Sequence, residues 1–132
     1  MTARTIRSAA ALLAIVLPAA GCAAADEEDD VARTAVGMVR AAQTGDGRAA
    51  CAALVPRAVD GLETAGARCD RQIVRLGLSG NEAGAVEVWG DRARARVGSG
   101  WVFLTRWGSG WKVTAAGCEP RSGRPFDCEF EA

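Results

Sequence analysis

Hydrophobic residues recur at two different spacings along this chain, and the change of spacing divides it into two halves. Between residues 30 and 43, apolar side chains recur every three or four positions, as on one face of an amphipathic helix. Asp30 is placed to cap this helix, Asp46 to cap a second, and Pro56 to begin a third. From residue 72 onward, apolar positions alternate with polar ones, which is typical of strands. The pattern therefore predicts an α+β fold with the helices first.

Short glycine-containing turns separate the predicted strands. The strands cover residues 73–78, 85–89, 92–97, 101–107 and 111–116. The turns Gly-Asp, Gly-Ser-Gly and again Gly-Ser-Gly, which join the last four strands, have the length and chemistry of hairpin loops. The last four strands should therefore form an antiparallel meander.

Aligning the hairpins predicts which side chains share a face of the sheet. Trp89 would face Arg92, Val97 would face Trp101, and Trp107 would face Trp111. One face would then be apolar and pack on the helices, while the other would be solvated. The predicted apolar face comprises Val86, Val88, Ala93, Ala95, Val97, Trp101, Phe103, Trp107, Trp111, Val113 and Ala115. The predicted solvated face comprises Glu87, Arg92, Arg94, Arg96, Arg106 and Lys112, with Trp89, Val102 and Leu104 among them.

The first 22 residues have the layout of a secretory signal peptide. Arg4 and Arg7 precede an apolar stretch over residues 9–17, which is too short to span a bilayer. The Leu-Pro-Ala-Ala-Gly-Cys ending resembles a bacterial lipobox, in which the cysteine, here Cys22, is lipidated. The alternative is that Cys22 is an ordinary thiol beside a conventional cleavage site.

An acidic run follows this cysteine at once, over residues 26–30. Such a segment stays hydrated, which suits a tether between a lipid anchor and a domain. We therefore predict a lipoprotein signal peptide over residues 1–21, a lipidated Cys22 with an acidic tether over residues 22–30, and a single domain over residues 31–132. The protein would be anchored to the extracytoplasmic face of the cell membrane.

Four cysteines lie in the predicted domain, namely Cys51, Cys69, Cys118 and Cys128. An even set in a small exported domain predicts two disulfides, with three possible connectivities. We favour Cys51–Cys69, which would join two helical segments, and Cys118–Cys128, which would close a C-terminal loop. A zinc site is the alternative, but the chain has no Cys-x-x-Cys spacing and no histidine to complete one. We predict no metal.

Composition narrows the range of functions. Residues after Cys22 include 14 basic and 16 acidic side chains, so nucleic acid is not an expected partner. The chain has no histidine and no tyrosine, and it therefore lacks the usual general base near neutral pH. Asp60, Glu63 and Asp70 have no spacing that indicates a working carboxylate pair. We predict no catalytic residue and no cofactor; an enzyme using carboxylates alone is a remote alternative.

Two groups of side chains in the predicted sheet are candidate binding residues. Arg92, Arg94, Arg96, Arg106 and Lys112 would form a cationic face, although alternating charges are also usual on a solvated strand. Aromatic and small residues of the apolar face would either fill the core or line a pocket against the helices. These pocket candidates are Trp101, Phe103, Trp107, Trp111, Ala93 and Ala95.

The order of these elements resembles that of NTF2-like (cystatin-like α+β) domains. The resemblance rests on the Gly-Asp turn, the Trp-Val-Phe-Leu-Thr-Arg strand and the closing Gly-Trp-Lys-Val-Thr-Ala-Ala-Gly segment. The Gly-Cys-x-Pro…Asp-Cys pattern over residues 117–128 is similar to that of small actinobacterial lipoproteins of this superfamily. The resemblance implies a curved sheet wrapped around helices as a cone with a hydrophobic cavity. Enzymatic members use Asp, His and Tyr residues there, and no catalytic position carries over to this chain.

Together these observations predict a non-enzymatic, lipid-anchored envelope protein. Its domain would bind a small apolar ligand or a partner protein of the envelope. The alternative is an interaction module that serves a membrane complex through the cationic face.

Overall fold

In the part of the chain that the structure describes, four α-helices precede a six-stranded antiparallel sheet, which confirms the α+β prediction. The computed structural model describes Thr2, residues 11–16 and residues 20–132, without the side chains of residues 20–22 and 124. The helices are α1 (Ala20–Gln43), α2 (Gly47–Ala52), α3 (Pro56–Leu62) and α4 (Cys69–Arg75). The strands are β1 (Ala83–Trp89), β2 (Arg92–Val97), β3 (Gly100–Trp107), β4 (Gly110–Arg121), β5 (Arg124–Asp127) and β6 (Phe130–Glu131).

The leader prediction falls largely on residues outside the described ranges. Arg4, Arg7 and Ala19 are among those residues, and so is the side chain of Cys22. Within the described part of the chain, no helix combines the length and the apolar composition that crossing a membrane requires.

Helix α1 begins ten residues before the predicted Asp30 cap, so the acidic run that we expected to be a hydrated tether is helical. Alanines 23–25 favour helix, and two ion pairs support the acidic turns. Arg33 lies 3.2 Å from Asp30 one turn away, and Arg106 of β3 lies 2.5 Å from Glu27. The predicted apolar stripe of α1 is buried against the sheet. It comprises Val31, Ala35, Met38, Val39 and Ala42.

The short helices α2 and α3 follow the capping rules used to predict them. The Asp46 carboxylate accepts a hydrogen bond from the backbone N–H of Ala49 at 3.2 Å, and Pro56 occupies the first position of α3. Helix α4 corrects the strand predicted over residues 73–78. Cys69 and Ile73, four residues apart, are both buried, which is the helical spacing, and Gly77 ends the segment with φ = +68°.

The sheet is a meander of five strands with β6 added to the free edge of β4. The same edge also receives the chain between α2 and α3. Backbone hydrogen bonds join Val55 N–H to the Val113 carbonyl at 3.0 Å and Val113 N–H to the Ala53 carbonyl at 2.8 Å. As a result, α3 and β6 lie side by side at this end of the sheet.

The register of the first hairpin is as predicted, and the register of the next two is shifted. Trp89 pairs with Arg92, but Val97 pairs with Gly100 because the turn has two residues and not three. A one-residue shift moves every side chain of a strand to the opposite face. Val102 and Leu104 are therefore buried against the helices. Trp101, Phe103 and Trp107 lie on the opposite face, contrary to the prediction.

Near its turn, the third hairpin also differs from the predicted register by one residue. Trp107 pairs with Gly110, so Arg106 faces Trp111 on the helix side of the sheet. A bulge then shifts the register between Phe103 and Leu104, and beyond it Phe103 pairs with Ala115 as predicted.

Candidate ligand-binding cleft

The outer face of the sheet, which points away from α1, carries the functional candidates of this domain. Its central rows follow from the register: arginines on β2, aromatic residues on β3, and polar residues on β4. The outer face thus comprises Arg92, Arg94, Arg96, Trp101, Phe103, Thr105, Trp107, Lys112, Thr114 and Ala115.

A cleft of about 580 Å³ lies over part of this face. The sheet supplies its floor, the start of α3 one side, and the C-terminal residues another. Its lining comprises Val55, Pro56, Arg57, Arg92, Phe103, Thr105, Trp107, Thr114, Ala115, Pro125, Phe126, Cys128, Glu131 and Ala132. A cleft of this volume, predominantly apolar with a few polar groups, has the usual properties of a small-molecule site.

Aromatic rings form the rigid part of the cleft. Phe103 on β3 and Phe126 on β5 meet edge to face, with ring centroids 5.0 Å apart and planes inclined at 71°. Trp107, four residues after Phe103 on β3, leaves 48% of its surface exposed. The ring pair holds the C-terminal hairpin on the sheet, and the exposed tryptophan gives an apolar ligand surface to bury.

The Cys118–Cys128 disulfide fixes the C-terminal side of the cleft. Together with the Cys51–Cys69 disulfide, it confirms the favoured pairing of the four cysteines. Cys118 is fully buried at the end of β4, whereas Cys128 lines the cleft. Because the two cysteines are ten positions apart in the sequence, the bond closes the hairpin that carries Phe126. Sequence reasoning predicted the bond but missed Pro125 and Phe126 as lining residues. The Asp-Cys pattern that follows them was the available signal.

Two of the six predicted pocket residues, Phe103 and Trp107, line the cleft. The other four do not, which corrects the location of the predicted pocket. Ala93, Ala95 and Trp111 are packed in the core between the sheet and the helices, with exposures of 1%, 0% and 8%. Trp101 lies on the outer face at the far end of β3, where it contacts arginine side chains.

The β2 arginines of the predicted cationic face share the outer face of the sheet, but two of the three make close contacts within the fold. Arg94, which faces Glu87 on the neighbouring strand, lies 2.7 Å from the Glu87 carboxylate and 4.5 Å from the Trp101 ring centre. Arg96 lies 5.6 Å from the same ring and donates a hydrogen bond to the Ser99 carbonyl at 3.3 Å. Guanidinium groups stack favourably on a tryptophan face, so this end of the row is largely satisfied within the fold.

The remaining cations differ in position. Arg106 is on the helix side, stacked at 4.5 Å on Trp111 and paired with Glu27, which corrects its assignment to the cationic face. Lys112 is on the outer face and donates to the Ala52 carbonyl at 3.1 Å. Arg92 lines the cleft, with the Asp91 carboxylate at 4.0 Å.

Titratable groups with a clear shift lie away from the cleft. The guanidinium of Arg68 hydrogen-bonds the Asp70 carboxylate at 3.1 Å and lowers the pKa of Asp70, while the same contact raises the pKa of Arg68. In the part of the chain that the structure describes, no polar or charged side chain is buried. Over the same residues, no group of three or more His, Cys, Asp or Glu side chains could hold a metal ion.

A scan against protein-family models, a search of curated proteins and a search of solved structures all find no match to this chain.

Proposed function

We propose that this chain is a lipid-anchored protein of the cell envelope whose domain binds a small apolar ligand, without catalysis, in the cleft on the outer face. The observation that carries the proposal is the aromatic lining of that cleft: Phe103 and Phe126 in fixed contact and a half-exposed Trp107 beside them. Exposed aromatic surface in a concave site is stabilised by covering it with another apolar group.

The expected affinity follows from the surface available. A fused aromatic ligand that buries about 200 Å² of its own apolar surface gains about 5 kcal/mol at 25 cal/mol per Å². The smaller apolar lining that it covers contributes about 3 kcal/mol, and association costs at least about 4 kcal/mol of lost freedom. Submillimolar dissociation constants are therefore the scale to expect.

A neutral fluorescent probe tests the proposal directly. N-phenylnaphthylamine should bind the purified protein with a submillimolar dissociation constant and gain fluorescence in the cleft. Trp107→Ala should weaken binding about tenfold, whereas Trp89→Ala should leave it unchanged. The two tryptophans are matched, since they are 48% and 50% exposed and only Trp107 lines the cleft. Absence of binding, or equal loss in both variants, would overturn the proposal.

The NTF2-like assignment is part of the same proposal. Helices followed by an antiparallel meander support it, since that is the order of elements the resemblance implies. The position of the site differs from the implied cavity, because the space between helices and sheet is occupied by buried side chains such as Leu104 and Met38. A ligand in this chain would bind on the other side of the sheet.

The anchor and the location rest on the leader pattern and on Cys22. Labelling of growing cells with an alkyne-bearing fatty acid should tag the protein, and Cys22→Ser should abolish the label and release the protein from the membrane fraction. A labelled Cys22→Ser variant would refute lipidation at this position.

The alternative function, an accessory module acting through the cationic face, has weaker support. Arg94 is already paired with Glu87, and Arg106 lies on the other side of the sheet. A protein partner recognised mainly through this face would dissociate when the salt concentration is raised.

A further inference from the structure

We infer that the ligand is an amphiphilic anion, whose apolar body covers the aromatic floor of the cleft and whose acidic group contacts Arg92. This inference rests on the proposed function, because it assigns a ligand class to the same cleft. It follows from the distribution of charge around the cleft and from the contacts of the three β2 arginines.

The β2 arginines share a face but not a set of partners. Arg94 has a short ion pair with Glu87, and Arg96 has a carbonyl acceptor and the Trp101 ring. Among the described residues, Arg92 reaches one carboxylate, that of Asp91, at 4.0 Å, and both side chains are well exposed, at 65% and 78%. Among the three β2 arginines, the guanidinium with the weakest internal contacts is therefore the one that lines the cleft.

Charges around the cleft are unevenly distributed. Arg57, near the start of α3, and Glu131, on β6, lie together at one end, because α3 packs on β6. Arg92 lies at the opposite end, on β2, and three strand spacings separate β2 from β6, which is at least about 14 Å. At the first end a carboxylate, that of Glu131, lines the cleft together with the guanidinium, whereas at the second end Asp91, the carboxylate nearest to Arg92, is not part of the lining.

Apolar side chains occupy the space between these ends. Phe103 and Phe126 form the floor and wall, and Trp107 adjoins Arg92 and Thr105 at the cationic end. A guanidinium beside an aromatic surface suits a ligand with an acidic group on an apolar body, because it offers both a charge-assisted hydrogen bond and area to bury. A carboxylate, sulfonate or phosphate head group would satisfy the same chemistry.

A matched pair of dyes separates the two parts of this inference. Anilinonaphthalene sulfonate and N-phenylnaphthylamine share one ring system and differ in the sulfonate. The purified protein should bind the sulfonate about tenfold more tightly than the neutral dye at low salt, as expected for one charge-assisted hydrogen bond at a partly exposed site. Arg92→Gln should remove this preference by weakening binding of the sulfonate more than binding of the neutral dye, and Arg92→Lys should retain part of it.

Arg96→Gln is the control, since Arg96 lies in the same row outside the cleft. This variant should keep the full preference for the sulfonate. If the neutral dye binds through Trp107 but the two dyes bind equally, the anion inference is wrong and the proposed function stands. An equal loss of preference in Arg96→Gln also overturns the inference, since the preference would then be a property of the whole row. If neither dye binds, the proposed function fails and the inference with it.

Discussion

Substitution of Gly47 by alanine tests a close approach between the backbones of two helices. Gly47 begins α2 and lies directly against the backbone of α4. A Cβ atom there would lie 1.8 Å from the carbonyl oxygen of Asp70, 2.6 Å from its carbonyl carbon and 2.8 Å from its Cα. Backbone atoms cannot move aside by changing a rotamer, so α2 and α4 would have to separate. The Cys51–Cys69 disulfide, which joins the same two helices, opposes that separation.

The size of the effect follows from two opposing terms. Overpacking a buried site costs about 1–3 kcal/mol, and a contact with backbone belongs at the upper end. Alanine gains up to about 1 kcal/mol over glycine in helix propensity, so the net loss should be about 2 kcal/mol. For a domain of this size each kcal/mol corresponds to about 4–8 °C, and Gly47→Ala should lower Tm by about 10 °C.

Gly37→Ala provides the matched control for this substitution. Gly37 is exposed in the interior of α1, and a Cβ added there would meet nothing within 4 Å. The same chemical change should therefore raise the unfolding free energy by about 0.5–1 kcal/mol and Tm by a few degrees. Thermal unfolding of both oxidised variants, followed by circular dichroism, measures the difference. A Gly47→Ala protein that melts at or above the wild-type temperature would refute the close contact between α2 and α4.

Three further changes test other contacts of the fold. Glu27→Gln should cost less than about 1 kcal/mol, since the pair is half exposed, but it should speed amide exchange in the first turns of α1; unchanged exchange would contradict this. Asp70→Asn should lower Tm near neutral pH and leave it unchanged in strong acid. The hydrogen bond from Arg68 lowers the pKa of Asp70, so the pair stabilises the fold above the ordinary pKa of 3.8. This contribution is lost as the pH falls below that value and Asp70 becomes protonated. An equal loss of Tm in strong acid would contradict this assignment. Replacing both Cys118 and Cys128 by serine should cost about 3 kcal/mol and weaken binding of the neutral dye, a loss that removal of the other disulfide should not reproduce.

Helix starts and one turn were predicted correctly where a single residue type determines the local backbone conformation. Asp46 and Pro56 mark the starts of α2 and α3 because each satisfies a requirement of a helix N-terminus on its own. The Trp89–Arg92 hairpin was predicted correctly because its turn, Gly90-Asp91, allowed one length and glycine adopts φ = +62° there. These choices depend on a few neighbouring residues.

The location of the cleft could not be predicted because it depends on one hairpin register. The segment from Trp101 to Leu104 is apolar at every position, so alternation could not show which side chains face the helices. A loop of two residues in place of three then exchanged Trp101 and Phe103 for Val102 and Leu104 on the buried face. The smaller aliphatic side chains fit against the alanines of α1 and β2, and the aromatic ones became available for a site.

Residues 73–78 were misassigned for a related reason. Ile73, Val74, Leu76 and Leu78 fit a strand by composition, and a short apolar run does not distinguish strand from helix. The decisive contact is distant in sequence, because the disulfide joins Cys69 to Cys51 and packs α4 against α2. Tertiary contact therefore outweighed the local preference.

The continuity of α1 bears on the mechanics of the anchored molecule. A flexible segment between Cys22 and the core would let the domain tumble about its attachment point. In the structure that segment is helical, and about 30 Å of one rigid rod runs from Cys22 to Gln43. The contact between Glu27 and Arg106 fastens the rod to the sheet near its start. If Cys22 carries the lipid, a pulling force at that residue reaches the sheet through the helix without slack. The distance between the attachment point and the sheet is then limited by the length of one helix.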